Sequence, residues 1–211
     1  MADDDDQINN AALVAKVSNV LLSPECQRIN FRWGNQRINA KAYRAVVLAL
    51  ADSRIHLYEA GAAHKIDNNV EALYRDSGET MIIRPRLNLH KVSNRRTIVH
   101  EATHAVQDAE LADVDVWRLD KEAIAFVAEW LYLIYSSPDP DNLRNDPNPD
   151  DPIEVIALEI AQSLAGKHGA APDAAAMRRL GNAIYANPTY SVRMLLHPWA
   201  RGDGIPEPDF P

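Results

Sequence analysis

The amino-acid sequence predicts an α+β fold in which a small antiparallel or mixed sheet with a hairpin packs on a long helix, followed by a mostly helical C-terminal half. Short runs in the first half alternate apolar and polar residues, which is typical of half-buried strands. Longer runs place apolar residues three and four positions apart, which is typical of amphipathic helices. Strands and helices that are grouped rather than regularly alternating indicate the α+β class.

Length and composition predict one ordinary globular domain. With 46% hydrophobic and 25% charged residues among 211, the chain can bury a core. We expect a disordered acidic tail (1–7), a single domain (8–200) and a second tail (201–211). The domain is expected to comprise N-terminal helices, strands and a central helix (8–135), a loop rich in Pro and Asp (136–152) and a helical C-terminal part (153–200).

Charge and cysteine content limit the partners and sites that we expect. The net charge of −8 argues against nucleic acid or an anionic membrane as a partner. The single cysteine, Cys26, excludes an internal disulfide and a cysteine zinc site, so any metal must be held by His and carboxylate side chains. The N-terminus is acidic where a signal peptide would be basic and then apolar, and no apolar run has the length of a membrane span. We therefore expect a cytoplasmic protein, or one exported without a cleavable N-terminal signal.

The first part of the domain is expected to contain two helices and a strand. Apolar residues recur at helical spacing in residues 8–22, and Ser23-Pro24 is expected to end that helix. Residues 40–52 are largely apolar and predict a buried helix. The pattern then changes to alternation in residues 54–58, which predicts a strand.

A β-hairpin is predicted shortly before the central helix. Residues 70–75 and 80–84 are short strand candidates. The four residues between them include Gly78, which tolerates a positive φ, and Pro85 ends the second strand.

Residues 93–107, SNRRTIVHEATHAVQ, predict a helix that carries a metal-binding pattern. Ser93 is a suitable N-cap, and neither Pro nor Gly interrupts the run that follows. In a helix, His100 and His104 lie one turn apart on one face, with Glu101 beside them. Two such imidazoles can bind one zinc ion, and the adjacent carboxylate can reach a water molecule on that ion without becoming a ligand. An apolar stripe is expected to fix the histidines on the other face; it consists of Ile98, Val99, Ala102, Ala105, Val106 and Ala109. The alternative is an amphipathic helix with two surface histidines.

A second strong helix is predicted for residues 120–135, with Asp120 as its N-cap and Lys121 and Glu122 in its first turn. Residues 136–152 contain five prolines and predict a solvated loop. The spaced acids of this loop lack the glycine and the terminal glutamate of an EF-hand calcium site.

Two further helices are predicted in the C-terminal part. They are expected in residues 153–167 and 172–185, with Pro172 in the first turn of the second helix.

HEATHAVQ (100–107) and EAIAFVAEWLY (122–132) together resemble the active region of the zincin metallopeptidases. They also resemble small bacterial His-Glu-x-x-His proteins with a following glutamine, which include metallopeptidase domains of secreted toxins and injection-system cargo. The resemblance implies a zincin-like fold, a Zn²⁺ cofactor and a protein or peptide substrate. Gln107 and Glu110 stand where metzincins place Gly and His, so the third ligand is expected to be a carboxylate of the gluzincin kind.

The resemblance implies that this carboxylate comes from the following helix. Glu122, the eighteenth residue after His104, has the gluzincin separation, and the small Ala123 and Ala125 would let the two helices approach closely. Glu129 is the second candidate, although a large shift of the helix would be needed to bring it to the metal. Asp115 is the third candidate, by analogy with zincins that use aspartate.

By the same resemblance, Glu101 is the general base and a zinc-bound water is the nucleophile. Tyr185, Tyr190 and His197 are candidates for stabilising the oxyanion. An edge strand at residues 80–84 is expected to pair with an extended substrate; the alternative is a hairpin that only covers the helix.

The leading functional hypothesis is therefore a zinc metallopeptidase. One alternative is a zincin-like binding or structural module with a retained metal site, and another is a hydrolase of a non-peptide amide. The presence of Glu101 favours an enzyme, because a purely structural site needs no general base.

Overall fold

The structure is a computed structural model that describes residues 10–67, 70–110, 115–140, 143, 148, 150–190 and 199–201. The expected acidic tail at residues 1–7, most of the expected tail at 201–211 and part of the 136–152 loop lie outside these residues. The helices are α1 (Ala11–Leu21), α2 (Pro24–Gln27), α3 (Ala40–Ala51), α4 (Val92–Glu110), α5 (Arg118–Ser136), α6 (Pro152–Leu164) and α7 (Ala174–Ala186). The strands are β1 (Asn30–Trp33), β2 (Gln36–Asn39), β3 (His56–Glu59), β4 (Ala72–Arg75), β5 (Thr80–Ile83), β6 (Asp115–Trp117) and β7 (Trp199–Arg201).

The fold class is α+β, as predicted, with long helices and small sheets. The central sheet has the strand order β3-β5-β4, with β3 parallel and β4 antiparallel to β5. The predicted hairpin is β4–β5, and Gly78 in its connection has a φ of 91°. Within the described ranges, no helix is both long and apolar enough to cross a bilayer.

The strand that faces the central helix is β4, and the expectation of a substrate-binding edge at residues 80–84 is wrong. The first four of those residues form β5, which lies in the middle of the sheet and pairs with a strand on each side. All of Met81, Ile82 and Ile83 are buried, as is typical of a central strand. The free edge beside α4 therefore belongs to β4.

A second hairpin was not predicted from the sequence. Strands β1 and β2 pair antiparallel around Gly34, which has a φ of 59°. Phe31, Trp33 and Ile38 point into the core. Residues 199–201, expected at the junction of the helical part and the tail, instead form β7 and pair with β6.

Three expectations about helix starts are also wrong. Helix α4 begins at Val92, which places Ser93 inside the first turn instead of at the cap. Helix α5 begins at Arg118, and the carboxylate of Asp120 accepts a hydrogen bond from the indole of Trp33 at 3.1 Å. Pro172 lies before α7, whose N-cap is Asp173.

Helix α4 lies at the centre of the fold and packs against α1, α3, α5 and β4. The predicted apolar stripe is buried except for Ala109, which is exposed. The opposite face is also largely covered, because Thr103, Gln107 and Asp108 are fully buried. Helix α4 is therefore not a surface helix, and its buried polar side chains need internal partners.

A single tyrosine fixes β4 to α4 at two points. The backbone N–H of Tyr74 donates to Glu101 Oε2 at 2.7 Å, and its hydroxyl donates to Asp108 Oδ2 at 3.0 Å. Both carboxylates are on α4, seven residues apart and so on the same side of the helix. These two bonds set the distance and the register between the strand and the helix.

We predict that Tyr74→Phe lowers the free energy of unfolding by about 1–3 kcal/mol, because it removes a buried hydrogen bond to a carboxylate. Chemical denaturation monitored by circular dichroism measures this change. Tyr185→Phe is the matched control, since Tyr185 is 48% exposed. Equal stabilities of the Tyr74→Phe variant and the wild type would contradict the role given to this hydroxyl.

Candidate metal centre

Helix α4 brings His100 and His104 together on one face, as predicted. Their rings are 5.0 Å apart between centroids and nearly perpendicular. His100 is only 8% exposed and His104 is partly buried. The alternative of two surface histidines does not describe this arrangement.

Helix α5 supplies a carboxylate opposite the two rings. Oε2 of Glu122 lies 3.7 Å from Nε2 of His100 and 3.7 Å from Nε2 of His104. Ligand atoms of these three residues all lie within 4.8 Å of one another. Together they form a group, called here the triad, that can hold a metal ion.

The other nitrogen of each imidazole is held by a hydrogen-bond acceptor. Nδ1 of His100 lies 2.8 Å from Glu129 Oε2, and Nδ1 of His104 lies 3.1 Å from Gln107 Oε1. An acceptor at Nδ1 favours the tautomer with the proton on that atom, which leaves the Nε2 lone pair free to bind a metal. Both rings thus present a ligand atom toward Glu122.

Glu129, the second candidate for the third ligand, contacts the site in a different way from the one expected. It lies at the far nitrogen of His100, outside the triad, and needs no shift of the helix to do so. Its other oxygen is 4.0 Å from Arg96, which also donates to Glu154 of α6 at 3.2 Å. The side chain of Asp115, the third candidate, lies outside the described residues.

The separations within the triad suit a metal ion with short bonds and tetrahedral coordination. With zinc–ligand distances of about 2.0–2.1 Å, tetrahedral angles separate neighbouring ligand atoms by about 3.4 Å. The observed separations of 3.7 Å from Glu122 to each imidazole are close to that value. Calcium takes six to eight oxygen ligands, and a set of two nitrogens and one carboxylate does not provide them.

Glu101 lies beside the triad without belonging to it. It is 8% exposed, and the N–H of Tyr74 holds one of its oxygens. Burial raises the pKa of Glu101 to about 7, against the opposing effects of the nearby His100 charge and the Tyr74 N–H. A carboxylate with such a pKa can both accept and donate a proton near neutral pH.

The two histidines differ in their protonation when no metal is bound. Burial by itself lowers the pKa of His100, but the carboxylate of Glu122 at 3.7 Å and the hydrogen-bonded carboxylate of Glu129 outweigh it and hold this pKa well above its usual range. Burial lowers the pKa of His104 to about 4, only partly offset by the charge of Glu122. The metal-free site therefore carries one proton on His100 and leaves His104 neutral at pH 7.

A cleft of about 380 Å³ opens over the triad. Its walls are β4 on one side and α5 with Thr189 and Tyr190 on the other, and α4 forms its floor. Of the three candidates for oxyanion stabilisation, Tyr190 lines this cleft, Tyr185 is exposed and absent from the lining, and His197 lies outside the described residues.

Three contributors to the site were missed from the sequence: Gln107, Tyr74 and Arg96. Gln107 had a visible signal, because it lies three residues after His104 and therefore on the same face of α4. Tyr74 contributes through its backbone N–H, and Arg96 contributes by lying between Glu129 of α5 and Glu154 of α6. Neither contact leaves a local pattern in the sequence.

Comparison of the chain with protein-family models, with curated proteins and with solved structures found no match. The function must therefore be argued from the geometry of the site.

We predict that zinc binding at pH 7 releases between one and two protons per chain. One is the proton held on His100, and the rest is the fraction held on Glu101, whose pKa of about 7 a nearby zinc ion would lower. Because protons compete with zinc for His100, the zinc affinity is lower at low pH. The affinity should rise with pH until the pH reaches the raised pKa of His100 in the metal-free protein. Calorimetry in buffers with different ionisation enthalpies measures the released protons. A binding enthalpy that does not depend on the buffer would contradict this protonation state.

We also predict that Glu122→Ala weakens zinc binding at least about 100-fold, because it removes one of three ligands. Glu129→Ala should weaken binding by only about tenfold, the scale of losing an outer-shell partner, since both Nε2 atoms remain. Glu129→Gln should recover part of that loss, because its amide oxygen still accepts from Nδ1.

Competition with a zinc-chelating dye measures these affinities. The control is Glu159→Ala, which removes an exposed carboxylate from α6. A larger loss for Glu129→Ala than for Glu122→Ala would place the ligand at residue 129.

Proposed function

We propose that this chain is a zinc-dependent hydrolase of the zincin type, and specifically a metallopeptidase. The observation that carries the proposal is the position of Glu101. It is a buried carboxylate beside the triad that is not part of it, at the base of a cleft bordered by a free strand edge. A site that only stores or binds a metal has no need of such a group.

The side chains of the triad support zinc as the metal. Two imidazole nitrogens and one carboxylate oxygen are a common catalytic set for this ion, and the spacing of the triad suits its tetrahedral geometry. When bound there, zinc would supply the Lewis acidity that makes water nucleophilic near neutral pH and that polarises a carbonyl group.

Glu101 would act as the general base. Its Oε2 is fixed by the N–H of Tyr74, which leaves Oε1 to accept a proton from the attacking water. The same carboxyl group would then deliver that proton to the leaving nitrogen of the cleaved amide. The hydrogen bond from the strand keeps the carboxylate in one orientation throughout, which is the pre-organisation that such a step needs.

The free edge of β4 would bind the substrate backbone. Successive residues of a strand point their N–H and C=O groups to opposite sides. The carbonyl of Glu71 accepts from the N–H of Arg84, so the backbone groups of Glu71 point toward β5. The next residue, Ala72, must therefore point its N–H and C=O away from β5, to the side on which the N–H of Tyr74 reaches Glu101. This is the side of the cleft. An extended peptide could add to this edge as a further strand.

Tyr190 would stabilise the oxyanion. It lines the cleft, and its ring lies 6.0 Å from that of Phe126. Burial and the charges of Glu122 and Glu129 raise its pKa, so its hydroxyl stays protonated and remains a hydrogen-bond donor at neutral pH.

The alternative of a purely structural metal site finds no support among the described residues. A structural zinc site is usually closed by four protein ligands, whereas the triad has three members and opens onto a cleft.

The proposal predicts that the zinc-loaded protein generates new protein N-termini in a cell lysate and that Glu101→Gln abolishes them while zinc stays bound. The amide keeps the shape of the side chain but cannot accept the proton. Mass spectrometry of labelled N-termini measures cleavage, and native mass spectrometry measures zinc. Glu59→Gln, an exposed carboxylate on β3, is the control and should keep full activity.

Chelation should abolish the cleavage, and added zinc should restore it. No cleavage by the zinc-loaded wild type, or unchanged cleavage by Glu101→Gln, would overturn the proposal.

A further inference from the structure

One end of the cleft carries positive charge. Of the described residues that line it, the lysine and the arginine are Lys121 and Arg118, both in the first turn of α5. The other charged lining residues are His100 and five carboxylates: Glu71, Asp76, Glu101, Glu122 and Glu129. The two cations therefore stand apart from an otherwise acidic lining.

The hydrogen bonds of the site locate these cations relative to the triad. The carbonyl of Lys121 accepts from Gln107, whose side-chain oxygen holds His104. At the other end of the triad, Phe126 and Glu129 contact the ring of His100. The cationic end thus lies beyond His104, and the opposite end lies beyond His100.

Strand β4 runs toward the same end. Two residues after Tyr74 the chain reaches Asp76, whose carboxylate lies 3.4 Å from the ammonium of Lys121. A peptide that added to the edge of β4 would therefore extend from the triad toward Lys121 and Arg118.

Of the residues that line this end of the cleft, Asp76 provides one negative charge against the two positive charges of Lys121 and Arg118. The carboxylate of Asp108, one turn beyond His104, is fully buried, accepts from the hydroxyl of Tyr74 and does not line the cleft. Burial alone would raise the pKa of Asp76, but the charges of Lys121 and Arg118 hold this pKa below its ordinary value. Both cations therefore interact with the same carboxylate. Lys121 is only 6% exposed, and the buried Nε of Arg118 has no hydrogen-bond partner among the described residues.

We propose that Arg118 and Lys121 form a subsite that binds a carboxylate of the substrate peptide on one side of the cleaved bond. The inference rests on the proposed peptidase function. The source of the carboxylate is an Asp or Glu side chain or the C-terminus of the peptide. A guanidinium binds such a group with two parallel hydrogen bonds, and a buried ammonium adds a point charge.

The test uses two matched peptide libraries, one with free and one with amidated C-termini, in which each position is varied between Glu and Gln. Binding is measured by fluorescence anisotropy on zinc-loaded Glu101→Gln protein, so that it does not depend on turnover. Cleavage of the same libraries by the wild type is read by mass spectrometry.

We expect Glu to be preferred over Gln about tenfold or more at one fixed position, in both binding and cleavage. If the carboxylate comes from the C-terminus, the preference instead follows the free C-terminus at a fixed distance from the cleaved bond. Arg118→Gln should reduce the preference about tenfold, and Arg118→Glu should reverse it in favour of peptides with Lys at that position. A charge reversal alters specificity in a direction that loss of folding cannot imitate.

Arg75→Glu is the matched control. Arg75 lies on β4, but its exposed side chain donates to the carbonyl of Lys65 outside the cleft. This variant changes the net charge by the same amount and should keep the preference for Glu.

The outcomes separate the two proposals. Binding of acidic peptides that are never cleaved would overturn the peptidase function and leave the subsite standing. Cleavage without any preference for a carboxylate would overturn the subsite and leave the peptidase standing. No preference among bound peptides, or a preference that survives Arg118→Glu, also overturns the subsite.

Discussion

The packing of α4 against α5 is the contact on which the rest of the site depends. Two hydrogen bonds cross it, one from His100 to Glu129 and one from Gln107 to the carbonyl of Lys121. Because they lie on either side of Glu122 along α5, they fix both the rotation and the register of that helix. Small residues such as Ala102, Ala105 and Ala123 are buried in the same core, which leaves room for these polar side chains between the helices. A buried polar group without a partner is costly, so slipping of one helix along the other is disfavoured.

The resulting site concentrates negative charge. Glu101, Glu122 and Glu129 all lie close to His100, and in the metal-free protein the proton on that imidazole compensates part of their charge. A divalent cation in the triad would replace one positive charge with two and relieve the repulsion further. Burial and the neighbouring carboxylates raise the pKa of Glu101 to about 7, which suits a group that exchanges protons near neutral pH.

Residues with local signals were predicted well, and residues whose position depends on distant parts of the chain were not. The shared side of α4 that carries His100, Glu101 and His104 follows from helical geometry. Glu122 was the first of three candidates that the resemblance to gluzincins implied, and the structure places it opposite the two imidazoles. The residues of Ala72–Arg75 alternate between buried and more exposed positions, whereas Met81, Ile82 and Ile83 are apolar without a break. An unbroken apolar run is typical of a central strand, so the sequence does contain a signal against an edge strand at this place. Which ring nitrogen of His100 lies against Glu129 depends on how α4 and α5 cross. Asp120 does not cap α5, because the helix begins two residues earlier, and its carboxylate instead accepts from Trp33, far away in sequence. Propensity alone cannot anticipate such tertiary contacts.

The most direct test of the account is the crystal structure of the zinc-loaded protein with anomalous diffraction data at the zinc edge. We expect one zinc ion within about 2.0–2.2 Å of Nε2 of His100, Nε2 of His104 and a carboxylate oxygen of Glu122, with a water molecule as the fourth ligand. Glu101 should lie near that water and away from the ion. A zinc ion bound elsewhere, or one that takes Glu101 as a ligand and has no open position, would contradict the account.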